Sequence, residues 1–211
     1  MIKLYHCANA RSFRALWTLE ELGLDYELET MKFPPRFRQE GYLDLNPLGT
    51  VPTFFDGDMK MTESAAICHY LVTRYGPSQL AVMPDEPDYG AYLNFLFMGE
   101  ATLTFPQTVY LRYTFLEPAE RKLPQAAADY TQWFASRFKA AVTMMGREYV
   151  CANRFTAADI SLAYAIKLAN AIGLADAVPA VAQEYWQSLQ SRPALQRAEA
   201  RDGKLRLRED A

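Results

Sequence analysis

Two short stretches carry residue types suited to holding a peptide ligand. The first is Asn46-Pro47-Leu48-Gly49-Thr50-Val51-Pro52, which runs directly into the strand pattern Thr53-Phe54-Phe55. Pro52 has no amide hydrogen and precedes that strand, a setting that admits a cis Val51-Pro52 bond. A cis bond there turns the Val51 backbone outward, leaving its N–H and C=O to pair with an extended peptide as an added strand does. The second stretch is Glu63-Ser64, just ahead of the helical pattern of residues 65–71. Ser64 stands where an N-cap belongs. A helix N-terminus offers free amides and the positive end of a dipole to a carboxylate, and Glu63 beside it suits an ammonium. The two stretches together fit an extended peptide with an amino acid head group.

The elements that must position them are legible around them. Residues 2–6 alternate as a strand, Asn9-Ala10-Arg11-Ser12 reads as a turn with capping residues, and residues 13–22 carry apolar side chains at Phe13, Leu16, Trp17, Leu19 and Leu22. That helix should stop at Gly23. Residues 25–29 alternate again, and a β-α-β order implies parallel pairing. Phe33-Pro34-Pro35 breaks the pattern, a short irregular helical piece leads to Asn46, and Asp56-Gly57-Asp58 turns a hairpin between residues 53–55 and 59–61. Beyond residue 76 the composition changes. Gly76-Pro77-Ser78 and the Pro84–Pro87 stretch bracket a loop-rich linker, residues 77–88, and everything after it is helical in period. A pattern over residues 89–105 is interrupted at Pro106 and resumes to residue 116. A helix over about 126–145 puts Tyr130, Trp133, Phe134, Phe138 and Val142 on one face. Phe155-Thr156-Ala157-Ala158-Asp159-Ile160 has the form of a capping box with a hydrophobic staple. The charged tail, residues 201–211, is expected to fray. The fold class expected is α+β: an αβ domain over 1–76 and an all-α domain over 89–211.

Bulk properties narrow the function classes. The chain has 211 residues, half of them hydrophobic and 13% aromatic, enough for a substantial core and too apolar for disorder. A net charge of −3 provides no nucleic-acid footprint. No apolar run approaches membrane-spanning length, and the N-terminus passes straight into a strand pattern without a leader. Cys7, Cys68 and Cys151 lack metal or CxxC spacing and suit reduced thiols in a cytoplasm. With two histidines only, His6 and His69, no metal site is expected.

The ordered set Asn46-Pro47-Leu48-Gly49-x-Val51-Pro52, the hairpin and Glu63-Ser64 resembles the cytosolic glutathione S-transferase superfamily, in a bacterial, theta- or phi-like form whose class is not assignable. The resemblance runs from residue 1 to about residue 200. It implies a thioredoxin-like first domain and an α-helical second domain marked by the same capping box. Glutathione is then the co-substrate, with Val51-Pro52 pairing to its cysteine backbone and Glu63-Ser64 holding its γ-glutamyl head. Thr50 stands where a lysine or glutamine often contacts the glycyl end, so that contact is weakened, and Arg36 or Arg38 offers a cation instead. A homodimer in the cytoplasm with a role in detoxification follows from the same resemblance. The alternatives are a glutathione-dependent thiol-disulfide reductase or peroxidase, and a non-catalytic glutathione-binding protein.

A thiol of pKa near 8.5 is mostly protonated at neutral pH. A hydrogen-bond donor at the start of the first helix would stabilise its thiolate, which places the search in residues 5–12. Tyr5 occupies the tyrosine slot of some classes and otherwise packs. Counting back from Arg14, Asn9 falls on the serine slot of plant-type classes and Ala10, which cannot donate, on the theta serine slot. Asn9 and Ser12 are therefore the catalytic candidates, through an amide and a hydroxyl. Cys7, the basis of mixed-disulfide chemistry in other classes, comes two residues early and reads as a buried strand end. For a small hydrophobic electrophile, helix spacing selects Phe97, Glu100 and Thr104, with Ala101 and Phe105 on the same stripe, followed by Tyr110 and Tyr113.

Overall fold

Alternating burial makes Ile2–Cys7 the first strand, β1, with Ile2 and Leu4 inward and Lys3 and Tyr5 half-exposed. The computed structural model describes residues 1–203. Helix α1, Ser12–Leu22, is buried on every side from Ser12 to Glu20 and ends where Gly23 adopts φ 63°. There the Gly23 and Leu24 amides close back on the Glu20 and Leu19 carbonyls. Strand β2, Tyr26–Met31, lies slightly beyond the 25–29 expected and pairs parallel to β1 from Ile2↔Tyr26 to Cys7↔Met31. Short helices α2, Pro35–Arg38, and α3, Tyr42–Leu45, lead to β3, Thr53–Asp56, and β4, Met59–Met61. These two form the expected hairpin around Gly57-Asp58, and β3 also runs antiparallel to β1, completing a four-stranded sheet in the order β2-β1-β3-β4. Helix α4, Ser64–Arg74, packs on α1. This is the thioredoxin-like arrangement expected from the sequence.

The chain divides into two compact units: Met1–Ala81 joined by the segment that starts at Gln190, and Val82–Leu189. The second unit is helical: α5, Tyr89–Met98; α6, Phe105–Leu111; α7, Pro124–Val142; α8, Ala157–Ala171; and α9, Ala180–Leu189. Two π-helical segments, Gly99–Thr104 and Arg112–Leu116, flank α6. The first resolves the Pro106 problem. Proline donates no hydrogen bond and its ring collides with the carbonyl four residues back. The turn before it widens, so that the Phe105 N–H reaches the Glu100 carbonyl five residues back and the Thr104 hydroxyl donates to the Gly99 carbonyl at 2.7 Å. Gly99 also lets α5 lie close to α8: a Cβ there would come within 2.4 Å of the Ser161 Oγ and 2.5 Å of its carbonyl oxygen. On α7, Phe134 and Phe138 are buried as expected. Trp133 is not; it stays largely exposed and stacks on Tyr130 at 5.3 Å between ring centroids.

The capping box of α8 is present. The Thr156 hydroxyl accepts from the Ala158 amide, Asp159 accepts from the Thr156 amide at 2.7 Å, and the staple residues Phe155 and Ile160 are buried. Asp159 also accepts from the Val150 amide and the Tyr185 hydroxyl, so one carboxylate ties a loop and α9 to the start of α8.

The chain end departs from expectation. Helix α10, Pro193–Asp202, belongs to the N-terminal unit and packs along α1. Arg192 grips Glu21 with two bonds of 2.8 Å. Arg197 and Arg201 both bind the Glu20 carboxylate, at 2.8 and 2.9 Å. Arg201 and Asp202, expected to fray, are thus held in the last turn of a helix, Arg201 by the buried Glu20 carboxylate of α1 and Asp202 by the Asn9 amide and His6. The remainder of the tail, 204–211, lies outside the described residues.

Candidate functional site

The turn before β3 is built from its own side chains. Tyr42 and Asn46 both donate to the Thr50 carbonyl, at 2.6 and 2.8 Å, and both reach the Thr53 hydroxyl. The Asn46 side chain also caps the Leu48 amide. Gly49 has φ 63° and a Cβ there would sit 2.8 Å from the Arg36 Cβ, so glycine is required on both counts. The Val51-Pro52 bond is cis, as the sequence suggested. Thr50 is exposed, while Val51, Pro52 and Thr53 are buried. Among the described residues no hydrogen bond ends on the Val51 N–H or C=O.

Val51 packs in one cluster with Cys7, Met31 and Tyr42, against which Tyr5, Ala10, Phe33 and Leu45 also rest. The Pro52 turn and the turn between β1 and α1 therefore share a core. Tyr5 is a packing residue there, 6.4 Å from the Tyr42 ring and 6.2 Å from that of Phe55. Cys7 is fully buried, and burial pushes its thiol up to about 12, the wrong direction for a nucleophile. Cys68 and Cys151 are likewise raised by burial to about 11.

Asn9 lies on the turn itself, half-buried, with φ 54°. Asparagine is among the few side chains that tolerate this left-handed region. Its N–H donates to Asp202 Oδ1 at 2.9 Å. Ser12 sits differently from expectation. It is the first residue of α1 rather than its cap, is fully buried, and its hydroxyl faces inward. That hydroxyl lies 2.8 Å from His6 Nδ1 and accepts from the Cys7 amide at 3.3 Å. The structure therefore separates the two catalytic candidates: Asn9 on the turn, Ser12 beneath it.

Helix α4 begins one residue earlier than a Ser64 cap requires. Glu63 occupies the capping position and is exposed, and Ser64 is the first helical residue. The first amide bonded within the helix is that of Ile67, to the Glu63 carbonyl, so the amides of Ser64, Ala65 and Ala66 precede the ladder. The Ser64 hydroxyl accepts from Arg14 Nη1 at 3.2 Å, and Arg14, on α1, is fully buried. A buried guanidinium beside a helix N-terminus makes a strongly anion-favouring locus. Ala10, in the turn before α1, rests against the Val51 cluster and Arg14 on α1 reaches Ser64, so residues 10–14 connect the Pro52 turn to the start of α4.

The electrophile candidates lie in the helical unit and divide. Phe97 is about half exposed, and Glu100, Tyr110 and Tyr113 are of intermediate exposure. Thr104 is fully buried with its hydroxyl spent on Gly99, and does not share their face. The π-helical turn explains this, since one extra residue rotates the spacing assumed for an α-helix. Arg36 and Arg38 are exposed and line an open cleft of about 490 Å³ with residues 37 and 39–44.

Reasoning from sequence missed His6 and Asp202. A histidine on an alternating strand and an aspartate in a charged tail give no spacing signal, being 196 residues apart.

Comparison with known proteins adds independent findings. The family model of the glutathione S-transferase N-terminal domain matches residues 1–73. Glutathione S-transferase hmp2 of Hypomyces subiculosus is 31% identical over 171 residues, covering 76% of this chain and 78% of that protein. Glutathione S-transferase 3 of Schizosaccharomyces pombe is 28% identical over 177 residues, 79% of this chain and 73% of that protein. Among solved structures, a glutathione transferase homolog from Lodderomyces elongisporus, with two GSH per subunit, has the same fold. Its TM-score is 0.80 at 23% identity, over 94% of this chain and 97% of that one.

Proposed function

The chain belongs to the glutathione S-transferase family, and from that premise we propose that it joins glutathione, through sulfur, to a small hydrophobic electrophile. The observation that carries this reading is that residues 10–14 join two sets of backbone groups unpaired among the described residues: those of Val51, whose side chain shares a cluster with Ala10, and the amides opening α4, backed by Arg14. In this reading the Val51 N–H and C=O pair with the cysteinyl backbone of glutathione. The γ-glutamyl carboxylate lies at the amides opening α4, with Ser64 and its Arg14 partner beside it, and Glu63 meets the ammonium. The thiol is then directed toward the turn that opens α1. Its proton leaves to solvent, and the thiolate is stabilised by Asn9 and by the positive end of α1. Sulfur forms a bond to the electrophilic carbon, and the leaving group departs with its electron pair.

Asn9 carries the donor role because it lies on the turn, whereas the Ser12 hydroxyl is committed to His6 and Cys7. The burial and raised pKa of Cys7 argue against an enzyme mixed disulfide. As electrophile contacts we favour Phe97, Glu100, Tyr110 and Tyr113, none of which is buried. The same reading makes the protein a cytoplasmic homodimer that acts in detoxification. Among the described residues no helix is long and apolar enough to cross a membrane.

Titration calorimetry with glutathione followed by conjugation of a chlorodinitrobenzene tests this. Saturable binding and conjugation faster than in buffer are expected. Binding without conjugation would reduce the protein to a glutathione binder, and absence of both would refute the reading. Asn9→Ala should lower turnover by about tenfold or more with little change in glutathione affinity, since a thiolate donor acts on the reacting state.

A further inference from the structure

The end of the chain reaches the turn at which the thiol is expected. Asp202, in the last turn of α10, is 1% exposed, and its Oδ1 serves two groups from the far end of the sequence. It accepts from the Asn9 N–H at 2.9 Å and lies 3.1 Å from His6 Nε2, while its main-chain oxygen lies 3.2 Å from the same nitrogen. His6 is fully buried, and its Nδ1 is 2.8 Å from the Ser12 hydroxyl, which accepts from the Cys7 amide.

Proton accounting fixes the direction of this chain for a neutral imidazole. Both atoms facing Nε2 are acceptors, so Nε2 carries the hydrogen and Nδ1 accepts. Ser12 then donates to His6, His6 donates to Asp202, and Asp202 receives Asn9. The order of residue types is that of a serine hydrolase relay, yet Ser12 and His6 have no exposed surface and Asp202 almost none. No substrate carbonyl reaches this serine. The relay is a strut, and its outer end is the backbone of Asn9.

We propose that Asp202 is a positioning residue for glutathione activation: it clamps Asn9 in its left-handed conformation and so sets where the Asn9 side chain stands at the start of α1. The proposal rests on the transferase reading above. Three features of the molecule make it specific. Asparagine tolerates a φ of 54° but does not by itself select it over extended conformations, and the amide bond to Asp202 is the restraint that selects it here. A buried carboxylate has to be satisfied by donors, so Asp202 draws the turn toward α10 as much as the turn holds the helix. Finally, α10 is itself seated on α1 by the Arg192, Arg197 and Arg201 ion pairs, so the clamp has a rigid base within one unit. The C-terminal helix thereby becomes part of the catalytic apparatus without touching substrate.

The test uses the full chain with Asp202→Ala and Asp202→Asn. Asparagine retains an oxygen that accepts from both Asn9 and His6, and so separates the hydrogen bonds from the volume and guards against an alanine variant that fails to fold. Alanine should lower kcat by about tenfold or more with KM for glutathione nearly unchanged, and asparagine should restore kcat to within about fivefold of wild type. Two readouts need no turnover. Hydrogen exchange of the Asn9 amide should accelerate in Asp202→Ala, and the NMR signal of the His6 Nε2 proton, left with only the main-chain oxygen of residue 202 as acceptor, should move from its wild-type position. A wild-type kcat in Asp202→Ala, or an Asn9 amide that exchanges at the wild-type rate, would overturn the proposal. So would parallel losses in kcat and glutathione affinity that asparagine does not rescue. If the wild type itself conjugates nothing, the transferase reading falls, and the Asn9 exchange and His6 signals still decide whether Asp202 holds the turn.

Discussion

Replacing Glu63 by glutamine removes one charge and almost nothing else. Glu63 is exposed, occupies the capping position of α4 without a side-chain cap bond, and differs from glutamine by an oxygen-for-nitrogen exchange. A negative charge at a helix N-terminus contributes about 0.3–1 kcal/mol at an exposed site, so the variant should unfold close to the wild-type temperature. Binding should respond much more. A hydrogen bond to a charged group contributes about 1.5–3 kcal/mol, which predicts a glutathione Kd weaker by roughly ten- to a hundredfold. Ser64→Ala is the less clean companion, because the Ser64 hydroxyl accepts from the buried Arg14 guanidinium and its loss strips a buried cation of a partner. That variant should lose both stability and affinity, whereas Glu63→Gln should lose affinity alone. Titration calorimetry and thermal unfolding of the same preparations separate the two. An unchanged Kd in Glu63→Gln would refute the placement of the glutathione ammonium at α4 and with it the link between this helix and a peptide ligand.

Three further outcomes follow from the geometry. The cysteines are all buried with thiols raised to about 11–12, so a disulfide reagent at neutral pH should label none of the three until the chain is unfolded. Because the unfolded thiols ionise near 8.5 and the folded ones well above it, stability should decline as pH rises beyond that value; rapid native labelling would contradict this. Burial pushes the Glu20 carboxyl up, but hydrogen bonds from Tyr26, Arg197 and Arg201 outweigh it and hold it below its ordinary value. Glu20→Gln should therefore be less stable than wild type at neutral pH, by about 1–3 kcal/mol. The gap should close as pH falls through the folded carboxyl's range, and a gap independent of pH in thermal melts would count against the ion pairs. Gly49→Ala meets both a left-handed backbone and the Arg36 Cβ at 2.8 Å. It should lower stability by more than about 1 kcal/mol and loosen the Val51 turn, as chemical denaturation and glutathione titration would register.

Local patterns determined most of the architecture. The βαβ start, the Gly23 stop, the hairpin at Gly57 and the capping box at Thr156 each rest on interactions within a few residues, and all are present. The Val51-Pro52 turn and the Glu63-Ser64 helix start were legible for the same reason. Tertiary structure decided what depends on partners far along the chain. Ser12 reads as an available hydroxyl until His6 and the Cys7 amide claim it. Thr104 reads as lining a helix face until a π-turn rotates it inward, a change forced by Pro106 and the close approach of α8 at Gly99. The tail from Arg201 is charged and looked solvated, yet α1 carries the buried Glu20 and the partly buried Glu21, which pair with Arg192, Arg197 and Arg201 at the chain end. Charged composition favours water only where no buried counter-charge waits, and that counter-charge lies about 180 residues away, beyond any window of local pattern.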